Sequence, residues 1–157
     1  MLTSLAIRDL VLVERLDLEF AGGLCVLTGE TGAGKSILLD AVGLALGGRA
    51  DRTLIRQGAE RASVTAAFVQ SGAAPARELL AEHGIEVEDE LVLRRVLGAD
   101  GRSRAFVNDQ PVSGGLLRRL GELLVEVHGQ HEQQALLEPA VQRALLDHHG
   151  RLAPQAA

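Results

Sequence analysis

One eight-residue segment constrains this chain more than any other, because it matches the pattern G-x-x-x-x-G-K-[ST] at every fixed position. The segment consists of Gly29, Glu30, Thr31, Gly32, Ala33, Gly34, Lys35 and Ser36. Its glycines let the backbone curl so that successive N–H groups converge on phosphate oxygens. A helix that begins near Lys35 adds its positive end to the same point. The motif therefore predicts a strand, a loop and a helix that together bind the phosphates of a nucleotide.

The last two residues of the motif bring a charge and a metal ligand. The pattern predicts that Lys35 reaches the β- and γ-phosphates and that the hydroxyl of Ser36 ligates magnesium. Lys35 is also the only lysine of the chain, since the other fifteen basic residues are arginine. Arginine is too large and planar to replace a compact ammonium between phosphates. ATP and Mg²⁺ are thus the predicted ligands, and a glycine-rich turn without a ligand is the alternative.

The composition suits one globular domain with an unusual core. The 157 residues are 46% apolar and 24% charged, but only 2% aromatic, so Leu, Val, Ile and Ala must build the core. So few aromatic rings argue against binding single-stranded nucleic acid by base stacking. The net charge of −5 gives the chain as a whole no electrostatic attraction for nucleic acid.

A basic segment between residues 94 and 119 departs from this acidic balance. Only Asp100 and Asp109 oppose its arginines, which are Arg94, Arg95, Arg102, Arg104, Arg118 and Arg119. Two interpretations remain open: a solvated hairpin face, or a contact with a polyphosphate or with DNA.

Cysteine use and the apolar runs indicate the compartment. Cys25 is the only cysteine and lies in an apolar run, so we expect a small buried side chain in a reducing compartment. No apolar run approaches the roughly 18 residues that span a bilayer, and residues 1–4 lack the basic region of a signal peptide. The prediction is a cytoplasmic protein without a membrane partner.

The hydrophobic pattern places the motif between strands and a helix. Residues 4–20 alternate and predict two strands, and the continuous apolar run Leu24 to Thr28 predicts a central strand buried on both faces. The motif is followed by a predicted helix from Ile37 to Leu46, which Gly47 and Gly48 end. The other predicted elements are a loop at 49–62, a strand at 63–69, a helix at 75–83, a hairpin of 91–97 with 104–107, a helix from its Ser113 cap to Leu120, a strand at 123–127 and a helix at 132–149.

The order of these elements separates classes of nucleotide-binding protein. Small nucleotide kinases usually open with the strand before the phosphate loop, whereas here residues 4–20 come first. Such a prelude is typical of ABC-type ATPases, in which an antiparallel subsheet contacts the adenine side of the nucleotide. In the same proteins a glutamine after an apolar strand ligates magnesium and senses the γ-phosphate, which is where Gln130 stands. His128 and His131 flank it, but two histidines make a poor zinc site, so we expect them to shape the loop or contact phosphate.

Four segments together resemble the RecN family of bacterial DNA repair proteins, which belongs among the ATPases related to the structural maintenance of chromosomes (SMC) proteins. The segments are residues 5–10, 29–36, 100–108 and 127–132, and the resemblance covers nearly the whole chain. It implies that residues 29–36 bind the phosphates and that Ser36 with Gln130 holds magnesium. It also implies a phosphate or DNA contact from one of three arginines, Arg49, Arg52 or Arg56.

The resemblance implies an α/β fold, the lobe of a P-loop, ABC-type ATPase head with an antiparallel β subsheet. Residues 1–150 would be the amino-terminal lobe, and residues 151–157 would begin the connection to a coiled-coil arm. The expected partners are a carboxy-terminal lobe of the same protein, a second head that pairs through ATP, and DNA. The family acts in double-strand break repair and recombination, which places the protein at the nucleoid.

Catalytic groups of ABC-type ATPases are not found in this sequence. Hydrolysis in those proteins needs an apolar strand that ends in Asp-Glu and a separate signature segment. The apolar run 123–127 does not end in Asp-Glu, since Glu126 lies inside it, and the sequence contains no signature segment. We therefore predict an ATPase in the complete protein and binding without hydrolysis by this chain alone. The alternatives are a self-sufficient small P-loop kinase, and a docking module that uses nucleotide without turnover.

Overall fold

A six-stranded antiparallel sheet organises the residues that this computed structural model describes, which are 1–28, 33–69, 74–86 and 89–125. Its spatial order is β2-β1-β3-β4-β5-β6. The strands are β1 (Leu2–Leu10), β2 (Val13–Glu19), β3 (Arg61–Val69), β4 (Glu90–Gly98), β5 (Ser103–Val107) and β6 (Gln110–Val112). The helices are α1 (Ala33–Ala45), α2 (Ala74–Glu82) and α3 (Gly114–Leu124), with a 3₁₀ turn at Arg52–Leu54.

Alternation along the strands gives the sheet an apolar and a polar face. Leu5 pairs with Ala66, which pairs with Leu93, and these side chains are almost fully buried against the helices. We call this side the inner face. Three residues further along β1, Arg8 pairs with Ser63 on the opposite side, the outer face.

The core is aliphatic, as the composition predicts. Phe68 is its one large aromatic side chain among the described residues, and α1 contributes Ile37, Ala41 and Leu44 to the same cluster. No helix in the described ranges is long and apolar enough to cross a bilayer.

The turn between β1 and β2 is strained and is held by the loop that follows α1. Asp9 and Val11 have φ values of 50° and 51°, a conformation that is costly for a β-branched residue such as Val11. The N–H of Val11 donates to the carbonyl of Leu54 at 2.7 Å, and the N–H of Arg56 donates to that of Asp9 at 2.9 Å. These bonds fix residues 51–56 to one end of the sheet.

Two glycines allow α1 and α3 to meet backbone to backbone. Gly47, with φ 89°, ends α1, and a Cβ placed on it would lie 2.6 Å from the Cα of Arg118. A Cβ on Gly121 would lie 2.8 Å from the Cβ of Leu46 and closer still to its carbonyl oxygen. The helix that begins with the motif is thereby locked to α3 at its far end.

Most predicted elements are confirmed within a few residues. These are the two strands of residues 4–20, the helices at 37–46 and 75–83, the strand at 63–69 and the hairpin of β4 with β5. The Ser113 cap is confirmed by its Oγ, which accepts from the N–H of Leu116 at 3.1 Å. The short strand β6 was not expected, and the predicted helix at 132–149 lies outside the described residues.

Two strand predictions are wrong. Residues 24–28 pair with no described strand, so the described sheet is wholly antiparallel and does not include them. Leu123 and Leu124 belong to α3, which runs past the predicted end at Leu120. Leu116, Leu117, Leu120 and Leu124 follow a helical period and pack on the core, and this burial outweighs the strand-like apolar run.

Gly121→Ala should lower the free energy of unfolding by about 1–3 kcal/mol, because the added methyl group meets the backbone of Leu46. Gly115→Ala, in the same helix, is the matched control, since the nearest atom to its Cβ is 3.8 Å away. Urea denaturation followed by circular dichroism measures both. Equal stability of the two variants would contradict the close contact of α1 with α3.

Candidate functional site

The described part of the phosphate-binding motif forms the first turn of α1. Residues 29–32 lie outside the described ranges, whereas the backbone of 33–36 is helical. Lys35 is half-buried, Ser36 is exposed, and the next residue, Ile37, is buried at 5% exposure. The first turn contains no acidic residue, so no carboxylate of the helix opposes an anion at its positive end.

The helix is positioned by the sheet below it. Ile37, Ala41 and Leu44 recur at helical spacing and are buried in the cluster that the inner face forms. Lys35 and Ser36 therefore start from a backbone that packing fixes. This arrangement fits the donor set that a triphosphate with Mg²⁺ requires: a compact cation, a hydroxyl and main-chain N–H groups.

The segment before the motif is uncovered. Leu24, Val26 and Leu27 have 94%, 69% and 50% of their surface exposed. Cys25 is exposed as well, so the expectation that it is buried is wrong. An apolar segment without a described partner strand has no layer to bury it.

Two further apolar side chains lie open on the helices. Leu39 of α1 is 60% exposed and Leu123 of α3 is 45% exposed. Leu39 comes three residues after Ser36, so its exposed side chain lies one helical turn from the start of α1. A single exposed leucine is ordinary on a protein surface, whereas a contiguous apolar run such as residues 24–28 marks a candidate interaction site.

The three arginines considered for a phosphate or DNA contact differ in their surroundings. Arg56 pairs with Glu14, with 3.2 Å between Nη2 and Oε2. Arg49 and Arg52 form no ion pair with a described residue, but both lie near enough to Asp51 for their charges to act on its carboxyl. Between them Asp51 caps the 3₁₀ turn, and hydrogen bonds from the N–H and hydroxyl of Thr53 lower the pKa of its carboxyl.

The basic segment of residues 94–119 does not form one surface. Arg94 stacks on Phe106 at 4.5 Å and pairs with Asp109 at 2.9 Å. Arg95 points to the inner side, where a Cβ on Gly114 would lie 3.2 Å from its Nη1 and where burial lowers the pKa of its guanidinium.

The remaining arginines of that segment lie on different elements. Arg102 pairs loosely with Asp100, at 3.7 Å, and Arg118 pairs with Glu122 within α3. Arg104 stands exposed on the outer face. Sequence proximity alone did not reveal this separation.

The predicted second magnesium ligand, Gln130, lies outside the described residues with its neighbours His128 and His131. Within the described ranges, no three His, Cys, Asp or Glu side chains converge as a metal site. The magnesium ligands therefore stay a prediction.

Comparison with known families and proteins gives concordant matches. The family model for the AAA domain matches residues 4–110. The chain is 44% identical over 149 residues to the DNA repair protein RecN of Vibrio cholerae, and 45% over 150 residues to that of Haemophilus influenzae. These alignments cover 95% and 94% of this chain but 27% of each relative, so the chain spans about a quarter of their length.

Solved structures show the same fold. An SMC ATPase structure, from work on ATP-driven dimerisation and DNA-stimulated activation, matches with a TM-score of 0.68 and 22% identity. That match covers 93% of this chain and 97% of the other. The recombination mediator RecF with ATP matches at 0.60 and 19% identity, over 94% of this chain and 38% of RecF. The predicted fold class, an ABC-type head lobe with an antiparallel subsheet, is confirmed.

Cys25 should react with a thiol reagent in the native chain nearly as fast as in the chain unfolded in urea, because its side chain is exposed. Release of thionitrobenzoate from Ellman's reagent measures the rate, and Cys25→Ala gives the background. Strong protection in the native chain would show that residues 24–28 are covered.

Proposed function

This chain belongs to the AAA domain family, and we propose that it is the ATP-binding lobe of a RecN-like ATPase that acts in DNA double-strand break repair and recombination. The observation that carries the proposal is the start of α1. A complete phosphate-binding motif ends there, with Lys35 and Ser36 in the first turn of a helix that the sheet anchors.

Each residue of the proposed site has a physical role. The N–H groups of residues 29–34 surround the phosphates, and the ammonium of Lys35 balances the charge of the β- and γ-phosphates. The hydroxyl of Ser36 and the amide oxygen of Gln130 hold Mg²⁺, which neutralises the phosphate charge when bound. Among the arginines, Arg49 and Arg52 are the candidates for an additional phosphate contact, since Arg56 is paired with Glu14.

Hydrolysis requires groups from elsewhere in the complete protein. ABC-type ATPases use an apolar strand that ends in Asp-Glu for hydrolysis, and this sequence contains no such strand. We propose that a carboxy-terminal lobe covers residues 24–28, Leu39 and Leu123. The exposure of their apolar side chains supports this proposal. A second head would then close on the bound ATP, in the cytoplasm at the nucleoid.

A docking module without turnover is the second candidate. The same exposed apolar surface favours it, because nucleotide bound at α1 could bias the docking of the other lobe without being cleaved. A small kinase is the weaker alternative, since the paired strands β1 and β2 precede the motif.

Lys35→Ala and Lys35→Arg should both weaken ATP binding roughly ten- to hundredfold, which corresponds to the loss of about 1.5–3 kcal/mol from a charged hydrogen bond. Titration of a fluorescent ATP analogue with Mg²⁺ measures the affinity. Arg118→Ala removes one positive charge from α3 and should bind as the wild type does. Unchanged binding by both Lys35 variants would contradict the proposed phosphate site.

Gln130→Ala should weaken binding in Mg²⁺ and leave binding in EDTA unchanged, because only the magnesium contact is lost. The same samples should release no phosphate above background. Robust turnover by the pure chain would show that the lobe is a complete enzyme and would overturn the requirement for other groups.

A further inference from the structure

The two edges of the sheet differ in how they are protected against pairing with another strand. β6, at one edge, has three residues, and Pro111 at its centre has no N–H to donate to a further strand. β2, at the other edge, has seven residues without proline or glycine, and no described strand pairs with its free side. β2 is therefore the edge to which another strand can be added.

The register of β2 shows which of its backbone groups face the free edge. The N–H of Phe20 donates to the carbonyl of Thr3 at 2.8 Å, so these two residues form a hydrogen-bonded pair. Hydrogen-bonded and non-hydrogen-bonded pairs alternate along an antiparallel ladder, so every second residue of β2 before Phe20 also bonds to β1. The residues between them turn their N–H and carbonyl groups away from β1. These residues are Arg15, Asp17 and Glu19.

Two of these residues carry opposite charges on the outer face. Asp17 accepts hydrogen bonds from Arg8 at 2.6 Å and from Arg15 at 3.1 Å. The bond from Arg8, and then that from Arg15, lowers the pKa of the Asp17 carboxyl, so this group is ionised at neutral pH. Arg15 and Asp17 still have 73% and 48% of their side-chain surface exposed, which leaves both within reach of a strand added at the edge.

The sequence of β2 is complementary to itself when two copies are paired antiparallel about Leu16. In this register Arg15 lies opposite Asp17 of the second copy, and the two-fold symmetry repeats the pair. Leu16 lies opposite Leu16, and Glu14 lies opposite Leu18, so no like charges meet. Opposite charges and apolar side chains that face each other across a ladder both stabilise it. Arg15 and Asp17 are also residues whose backbone groups face the free edge, so the two copies can exchange hydrogen bonds there.

The neighbouring registers are opposed by charge. The two-fold registers on either side that keep free backbone groups facing each other place Arg15 opposite Arg15, or Asp17 opposite Asp17. Like charges directly opposite each other destabilise a ladder. Charged side chains on an edge strand ordinarily prevent pairing with other chains. On β2 their order instead favours one register with one partner, a second copy of the same strand.

We propose that β2 pairs antiparallel with β2 of a second copy of this chain, about a two-fold axis at Leu16. The axis is perpendicular to the joined sheet, so the α1 helices of both copies lie on the same side of it. No residue of the contact belongs to the motif at 29–36, so the pairing needs no nucleotide and is distinct from a head contact through ATP. An interface of one short strand from each chain is small, and we expect an affinity in the micromolar to millimolar range.

Sedimentation equilibrium of the chain over a concentration series, without nucleotide, measures the pairing. The wild type should show a monomer–dimer equilibrium. Arg15→Asp and Asp17→Arg should each weaken it at least about tenfold, because two attractive cross-strand pairs become repulsive. Arg119→Asp makes the same change of charge as Arg15→Asp at an exposed position of α3, and it should alter the dissociation constant less than about twofold.

An equimolar mixture of Arg15→Asp and Asp17→Arg should pair again, although neither variant pairs with itself. In the mixed dimer one chain presents two carboxylates to two guanidinium groups of the other. Loss of folding in either variant cannot produce this recovery, and circular dichroism checks that both are folded. Two variants that are folded and stay monomeric in the mixture would contradict the charge pairs.

A disulfide tests the register without any change of charge in the pairs. In a Cys25→Ala background, Leu16→Cys places two thiols across the axis at a Cα separation of about 4.5 Å, which a disulfide can bridge. Mild oxidation should therefore give a covalent dimer on a non-reducing gel. Glu14→Cys in the same background is the control, because its two copies would lie about 14 Å apart and should not cross-link.

Three results would overturn the pairing of β2. They are a wild type that stays monomeric at millimolar concentration, equal losses in Arg15→Asp and Arg119→Asp, and preferred cross-linking of the Glu14→Cys variant. Repeating the sedimentation with ATP and Mg²⁺ separates this contact from the proposed pairing of heads. A dimer that forms only with nucleotide and survives Arg15→Asp would overturn the β2 contact and leave the nucleotide site unaffected.

Discussion

The packing of α1 on the inner face of the sheet is the constraint on which the rest of the structure depends. Ile37, Ala41 and Leu44 bury one side of the helix, and the contact between Gly47 and α3 fixes its far end. The first turn, with Lys35 and Ser36, consequently projects from a rigid base. Phosphate binding by a helix start needs such preorganisation, because the N–H groups must converge before the ligand arrives.

The same sheet separates two kinds of chemistry. Its inner face is mainly aliphatic and positions the nucleotide motif, while its outer face is polar. Because successive side chains of a strand point to opposite faces, one set of strands presents both surfaces.

Much of this organisation could be predicted from the sequence, for identifiable reasons. The recurrence of apolar residues at every second position, as at Leu5 and Ile7, is a local signal, and so is the Ser113 cap. The strand and the helix start that they predict were both confirmed. The central strand predicted at Leu24 to Thr28 was wrong because an apolar run indicates that a segment is suited to burial but does not indicate which strand would bury it. The strand predicted from Leu123 was wrong for its described residues, Leu123 to Val125, because a short apolar run is compatible with either a strand or the end of an amphipathic helix.

The candidate nucleotide site was likewise found from a local signal. Lys35 and Ser36 are adjacent in sequence and belong to a motif, so the sequence alone identified them. The most direct test of the account is a comparison of ¹H–¹⁵N correlation spectra of the chain with and without ATP and Mg²⁺. The account predicts large shifts at the amides of Gly34 to Ile37 and none at Arg61 or Arg104. Shifts centred on the outer face, with an unchanged start of α1, would contradict it.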